Sequence, residues 1–312
     1  MVKIDLITGF LGSGKTTFIR KYAAYLINKG FHIGILENDF GAVNVDMMLL
    51  QDLTGEQCEL EMISGGCDRE THRRRFRTKL ISMGMCGYDR VLVEPSGIYD
   101  VDEFFDVLQE EPLDKWYEIG NIIVMADARL EDTMSEAADY LLASEAANAG
   151  RIILSRADEA SPEEISNTIR HLNRALKQIQ CRRILDQEIM CRNVEALSDQ
   201  DFDELLNCGY VLENYRKMDP ENQKSFDTLY FMNVKMTEAE LRKAAETILQ
   251  DRTCGDIFRI KGFLKAADDS WLQLNATPHE ISMKPIEAGQ EVLIIIGTNL
   301  SEETIRTYFE QV

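Results

Sequence analysis

Short apolar runs alternate along the chain with longer stretches of helical periodicity. Residues 2–8 form a mostly apolar run that stops at glycines, and 16–29 follows with Phe18, Ile19, Tyr22 and Leu26 on one helical face. Gly30 ends that helix, and 32–37 (HIGILE) reads as a second buried strand closing a parallel βαβ unit. Further apolar runs at 90–93, 122–125 and 151–154 each lead into turn residues and helical patterning. The alternation predicts a doubly wound α/β fold with a mostly parallel sheet.

Ser161-Pro162-Glu163-Glu164 has the form of a capping box with Pro at the first helical position, so a helix is expected over 162–178. From about 193 to 225 the periodicity fades and the chain turns polar. The expected organisation is a first domain over 1–215, a linker over 216–225 and a smaller α+β domain over 226–312. In the last, apolar segments at 226–236, 256–264, 270–274 and 292–296 alternate with helices after Thr237 and Ser301, in the order βαβββα.

Composition narrows the class. The 312 residues are 45% hydrophobic and 28% charged, as in globular proteins. Lys plus Arg is 34 against 54 Asp plus Glu, a net charge of -20 that repels phosphate backbones and anionic lipid surfaces. Neither nucleic acid nor a membrane is therefore an expected partner. No apolar run reaches the roughly 18–20 residues that span a bilayer. The N-terminus runs straight into a glycine motif with no room for a leader, which leads to an expectation of cytoplasmic location. The 7 cysteines show no C-x-x-C spacing, so neither a disulfide framework nor a zinc knuckle is indicated.

Candidate chemistry begins at Gly9-Phe-Leu-Gly-Ser-Gly14-Lys15-Thr16, which satisfies G-x-x-x-x-G-K-[ST] between an expected strand and an expected helix. Gly9, Gly12 and Gly14 let the backbone curl so that N–H groups, including that of Ser13, face phosphate oxygens, and the following helix adds its positive dipole end. Lys15 is expected on the β- and γ-phosphates, Thr16 on Mg2+ and Thr17 on the α-phosphate. Asp39, after the second strand, is the preferred further Mg2+ carboxylate; an Asx-type turn is the other reading of that segment. Glu94, directly after the strand at 90–93, would hold Mg2+ through water or position the attacking water, with the Gly97 N–H on the γ-phosphate. Ser155-Arg156-Ala157-Asp158 follows the strand at 151–154 where guanine-specific P-loop proteins carry N-K-x-D. Asp158 would accept from the guanine N1–H and exocyclic amine, Arg156 would stack on the purine, and Ser155 takes the place of Asn; a plain turn before the next helix is the alternative.

Together GFLGSGKTT, NDFGAVNVD, EPSG and SRAD resemble the CobW family of P-loop GTPases, relatives of the HypB and UreG nickel-insertion chaperones. The later GDIFRIKGFL followed by Trp271 resembles that family's C-terminal segment. The resemblance implies a P-loop NTPase domain with a smaller C-terminal domain, slow Mg2+-dependent GTP hydrolysis, and delivery of a metal or metal cofactor to a client metalloenzyme or cofactor-dependent protein. Homodimers occur among such chaperones.

One segment departs from the family pattern. The family's cysteine cluster corresponds here to Gly65-Gly66-Cys67-Asp68-Arg69-Glu70, with Arg69 and Glu70 where thiolates would stand. Cys67, Glu70 and His72, completed by Cys58 or another residue, would make a mixed site for Zn2+, Co2+ or Ni2+; a small packed thiol is the alternative for Cys67. Arg69, Arg73, Arg74, Arg75 and Lys79 form a basic island, suited to an acidic client patch, an anionic cofactor or a γ-phosphate, or simply a solvated helix face. Two other functions remain in view: a metal-independent GTPase that activates or assembles a client enzyme, and a P-loop ATPase or kinase.

Overall fold

The computed structural model describes residues 1–38, 49–63, 69–95, 99, 101–130, 134–217, 227–266, 269–286, 289 and 291–310. The chain divides into two compact units, Met1–Met218 and Asp219–Val312.

In the first unit, β1 (Val2–Thr8), β2 (Ile33–Asn38), β3 (Cys58–Ile63), β4 (Arg90–Pro95), β5 (Tyr117–Asp127), β6 (Arg151–Ser155) and β7 (Ile189–Cys191) form one sheet in the order β3-β2-β4-β1-β5-β6-β7. Every pairing in it is parallel. Its helices are α1 (Lys15–Asn28), α2 (Arg69–Met83), α3 (Val101–Leu108), α4 (Leu113–Trp116), α5 (Glu136–Asn148), α6 (Pro162–Gln178) and α7 (Asp199–Leu205). The interior strands are apolar along their whole length because both faces are covered: Ile4, Leu6, Ile7, Val91, Leu92, Val93, Ile122 and Ile123 are all fully buried. The chain fills one side of β1 with β2, β3 and β4 and then crosses to β5 on the other side. Winding reverses at β1, and the loop leaving its C-terminal end opens into the crevice where α/β sheets hold ligands.

The strands that the apolar pattern did not reveal are edges. β3 reads CELEMI, with Glu59 exposed and Glu61 half-buried, and β7 is only 3 residues long. One face of an edge strand meets solvent, so no continuous apolar run marks it. The stretch from 193 onward, read from sequence as aperiodic, contains α7. This helix has a capping box, with Ser198 as N-cap and Asp201 at N3, and buries Phe202 against Tyr25, ring centroids 5.2 Å apart, and Tyr22 at 6.0 Å. Its 7 residues are too few for periodicity to show. Of the expected linker, 216 and 217 are described: the Arg216 N–H donates to the Ile179 carbonyl at 2.7 Å, and Lys217 pairs with Asp102 at 2.9 Å.

The second unit is an antiparallel sheet with helices α8 (Glu238–Gln250) and α9 (Glu302–Glu310) packed on it. Its strands are β8 (Asp227–Met232), β9 (Asp256–Lys265), β10 (Trp271–Ala276), β11 (Ile281–Ile286) and β12 (Val292–Thr298), in the order β11-β10-β9-β12-β8. Leu241, Ile248 and Ile305 from the helices meet Leu274, Leu293 and Ile295 from the sheet, all at 1% exposure or less. The element order is βαββββα, not the expected βαβββα. The additional strand is β11, an edge whose Lys284 and Pro285 hide it from a hydropathy reading; Pro lacks the N–H a central strand needs and is tolerated at an edge. Among the described residues no helix is long and apolar enough to cross a membrane.

Candidate functional site

The loop after β1 is shaped by its glycines. Gly14, at φ 91°, takes the left-handed conformation and forms the N-cap of α1. A Cβ at Gly9 would lie 2.1 Å from the Met125 carbonyl oxygen, so only glycine allows the chain to pass β5 so closely. The first turn of α1 carries no acidic residue, which leaves its positive end uncompensated toward the crevice. Lys15 is 7% exposed and its Nζ donates to the Gly9 carbonyl at 2.8 Å, so the ammonium lies along the inside of the loop. Ser13 is buried, while Thr17 is exposed at the mouth.

Thr16 donates its hydroxyl to Glu94 Oε1 at 2.8 Å, and Glu94 is 4% exposed at the end of β4. In the sheet register Glu94 lies beside Glu37 of β2, a second buried carboxylate that the sequence reading passed over because it sits inside an apolar strand. Glu94 and Glu37 thus stand side by side near the C-terminal ends of neighbouring strands, and Glu94 holds the Thr16 hydroxyl of α1; these are oxygen donors of the kind a hard cation takes. Asp39 and Gly97 lie outside the described residues.

The loop after β6 meets the phosphate loop. Arg156, in a left-handed conformation at φ 55°, sends Nη1 to the Gly12 carbonyl at 3.2 Å and to Asp127 Oδ2 at 2.6 Å. Its guanidinium therefore braces the phosphate loop. The Ser155 hydroxyl donates to the Ala126 carbonyl at 3.2 Å and is turned into the sheet. Asp158 is exposed and accepts from Asn193 Nδ2 at 2.8 Å. The Asn193 Oδ1 in turn accepts from the Glu195 N–H at 3.0 Å, so a turn after β7 holds the Asp158 carboxylate in place. Nothing in the local sequence marks Asn193; its role follows from β7 lying beside β6.

The segment considered for a transition metal is less assembled. Cys67 lies outside the described residues. Glu70 and His72 are both in the first turn of α2, but Glu70 is exposed whereas His72 is fully buried, its Nδ1 3.6 Å from Glu103 Oε1 of α3. Residues two apart on a helix do not share a face. Cys58 starts β3 at the far end from the crevice, about 16 Å along the strand from Ile63, and burial with Glu59 nearby pushes its thiol up to about 11. Among the described residues no group of three or more His, Cys, Asp or Glu side chains is placed to hold a metal ion. The basic island is partly neutralised, since Arg73 pairs with Glu110 at 2.8 Å and Lys79 with Glu61 at 2.7 Å; the Arg74 and Arg75 side chains are exposed.

Residues 3–184 match the family model described as the CobW/HypB/UreG nucleotide-binding domain, and 233–312 match the cobalamin synthesis protein cobW C-terminal domain. Two curated relatives from Escherichia coli (strain K12) are the zinc chaperone YjiA, 28% identical over 177 residues (52% of each chain), and the zinc chaperone YeiR, 30% identical over 164 residues (52% of this chain, 49% of the relative). The chain spans about half the length of these two relatives. The zinc-regulated GTPase metalloprotein activator 1 of Schizosaccharomyces pombe is 22% identical, over 96% of this chain and 83% of its own. Among solved structures, the Zn(II)-bound YjiA GTPase from E. coli aligns with 99% of this chain and 98% of its own, at a TM-score of 0.38 and 18% identity. With the phosphate loop and both domain models matched, the chain belongs to the CobW/HypB/UreG family.

Proposed function

We propose that this protein binds GTP, hydrolyses it slowly with Mg2+, and uses the cycle to deliver a metal or metal cofactor to a client protein. One observation supports the reading: the Lys15–Gly9, Thr16–Glu94 and Arg156–Gly12 bonds join the loop after β1 to the end of β4 and to the loop after β6. The curled N–H groups and Lys15 would hold the phosphates, and Asp158, steadied by Asn193, would accept from the guanine edge. Thr16 and Glu94 fit Mg2+, with Asp39 as a further carboxylate; when bound, the ion would neutralise phosphate charge. Glu94 would hold Mg2+ through water or position the attacking water, and the Gly97 N–H would sense the γ-phosphate.

The cargo is proposed as Zn2+, Co2+ or Ni2+, with Cys67 as the central thiolate; the relatives named above as zinc chaperones support zinc first. Equilibrium dialysis with each metal, comparing wild type and Cys67→Ala, tests this. A Cys67-centred chaperone loses affinity in the variant. Equal affinity in both favours the second reading, a metal-independent GTPase that activates or assembles a client enzyme. That reading is favoured by one specific observation, Arg69 and Glu70 standing where the resemblance places thiolates. Competition of GTP and ATP for a fluorescent nucleotide tests the base, and preference for ATP would point to an ATPase or kinase.

A further inference from the structure

The α5 helix is buried on nearly all sides; every residue from 138 to 148 is buried, so it has little solvated face on which to place a charge. Glu145 nevertheless sits in it at 0% exposure. Burying an acid costs stability unless hydrogen bonds or nearby charge compensate it, and an apolar side chain in this setting would carry no such cost. The compensation lies in the phosphate loop. Glu145 Oε1 accepts from the Thr8 hydroxyl at 2.7 Å and from the Gly9 N–H at 3.2 Å. Gly9 is the first glycine of the loop, and its carbonyl receives Lys15 Nζ at 2.8 Å. One residue of backbone is thus held on its N–H by a carboxylate and on its carbonyl by an ammonium, while β5 closes it in from the side.

We propose that Glu145 is a positioning residue for nucleotide binding, fixing Gly9 so that the phosphate loop keeps its curl; the proposal rests on the nucleotide reading above. Lys15 has to turn toward a phosphate when one arrives, and its hold on the Gly9 carbonyl then weakens. Glu145 is the anchor that does not need to move. Thr8, sharing the same carboxylate oxygen, fixes the orientation in which it receives the Gly9 N–H. The contact spans 136 residues of sequence and joins the α5 helix to the loop after β1, so it also carries any shift of that helix directly to the phosphates.

Fluorescent GTP and GDP titrations on wild type, Glu145→Gln and Glu145→Leu test the proposal, with thermal unfolding measured on each. Gln keeps an acceptor oxygen at the same reach and removes a negative charge from beneath the anion. It is therefore expected to bind at least as tightly as wild type. Leu removes the acceptor and is expected to weaken both nucleotides at least about tenfold, the upper end of what one hydrogen bond contributes. Glu145→Met, of similar length and more compliant, replaces the Leu variant if that one does not fold and is judged by the same limit. Binding by Leu or Met within twofold of wild type overturns the proposal, as does a Gln variant as weak as either. Absence of binding by wild type contradicts the nucleotide reading itself, and the role of Glu145 falls with it.

Discussion

Thr16 and Glu94 are 78 residues apart in sequence, yet the Thr16 hydroxyl and Glu94 Oε1 are joined by a 2.8 Å hydrogen bond. This links the first turn of α1 to the end of β4, so the residue expected on Mg2+ and the acid expected to act near the γ-phosphate are set by the same contact. Glu94→Gln keeps an acceptor for Thr16 and removes the charge. Single-turnover GTP hydrolysis is expected to fall about 100-fold, the scale on which loss of one pre-placed electrostatic group acts, with nucleotide affinity changed far less. An unchanged rate at the wild-type Mg2+ requirement would remove Glu94 from the reaction.

Under the proposed function, base choice would reside in Asp158 and in Asn193, which holds its carboxylate. Asp158→Ala is expected to cost GTP about 2 kcal/mol of binding, roughly 30-fold, while ATP affinity stays level. Asn193→Ala leaves the acid in place but frees its orientation, and a smaller loss of about 1 kcal/mol is expected for GTP alone. Competition titrations with both nucleotides give these numbers; equal losses for GTP and ATP would mean that the loop supports the fold and does not read the base.

The first unit depends on an ion pair inside it. Arg90 Nη1 donates to Asp5 Oδ1 at 2.6 Å and to Oδ2 at 2.5 Å, and the Asn121 N–H at 2.8 Å and the Tyr22 hydroxyl at 3.1 Å donate to the same carboxylate, which has no solvent exposure. Burial pushes the Asp5 carboxyl above its ordinary value, only partly opposed by Arg90 and Asn121. Asp5→Ala leaves a guanidinium buried beside no anion and is expected to destabilise by about 3–5 kcal/mol in urea unfolding. Replacing both residues by apolar ones is expected to recover most of that loss. A double variant as unstable as the single one would show that the cost lies elsewhere.

In the second unit, hydrogen bonds hold the carboxyls of Asp251 and Glu240 below their ordinary values, and the lowering at Asp251 is large. Its carboxyl is held down to about 2, first by the Tyr308 hydroxyl at 2.6 Å and then by the Thr253 hydroxyl and N–H at 2.7 and 2.9 Å. A group with a depressed folded pKa contributes stability above its unfolded value, here near 3.8, and loses that contribution as pH falls toward 2. Wild type is therefore expected to lose stability between about pH 4 and pH 2 more steeply than Asp251→Asn, followed by Trp271 fluorescence. Parallel acid curves for the two proteins would count against the role of Asp251.

Legibility in the sequence followed locality. The phosphate loop, α1 and α6 were visible because each is specified within about one turn or strand: a glycine pattern beside an apolar run, and Ser161 three residues before Glu164, whose reciprocal bonds form the cap. The α6 helix runs over Pro162–Gln178, the span expected for it. β3, β7 and β11 escaped notice because an edge strand needs no apolar face on both sides, and α7 because 7 residues carry too little periodicity. In the candidate site the motif residues were legible one by one, but their partners were not. Glu94 meets Thr16, Asn193 meets Asp158 and Glu145 meets Gly9 only through strand order and helix packing, and Ser155, expected at the base, turns its hydroxyl to Ala126 because β5 lies beside β6.

The central claim is that the loop from Gly9 to Thr16 holds the polyphosphate of a guanine nucleotide. Equilibrium titration of fluorescent GTP against wild type and Lys15→Ala tests it most directly. Saturable binding displaced by GTP in preference to ATP is expected for wild type, with a loss of about 100-fold or more in the variant and an unaltered circular dichroism spectrum. The same Kd in both proteins would contradict it.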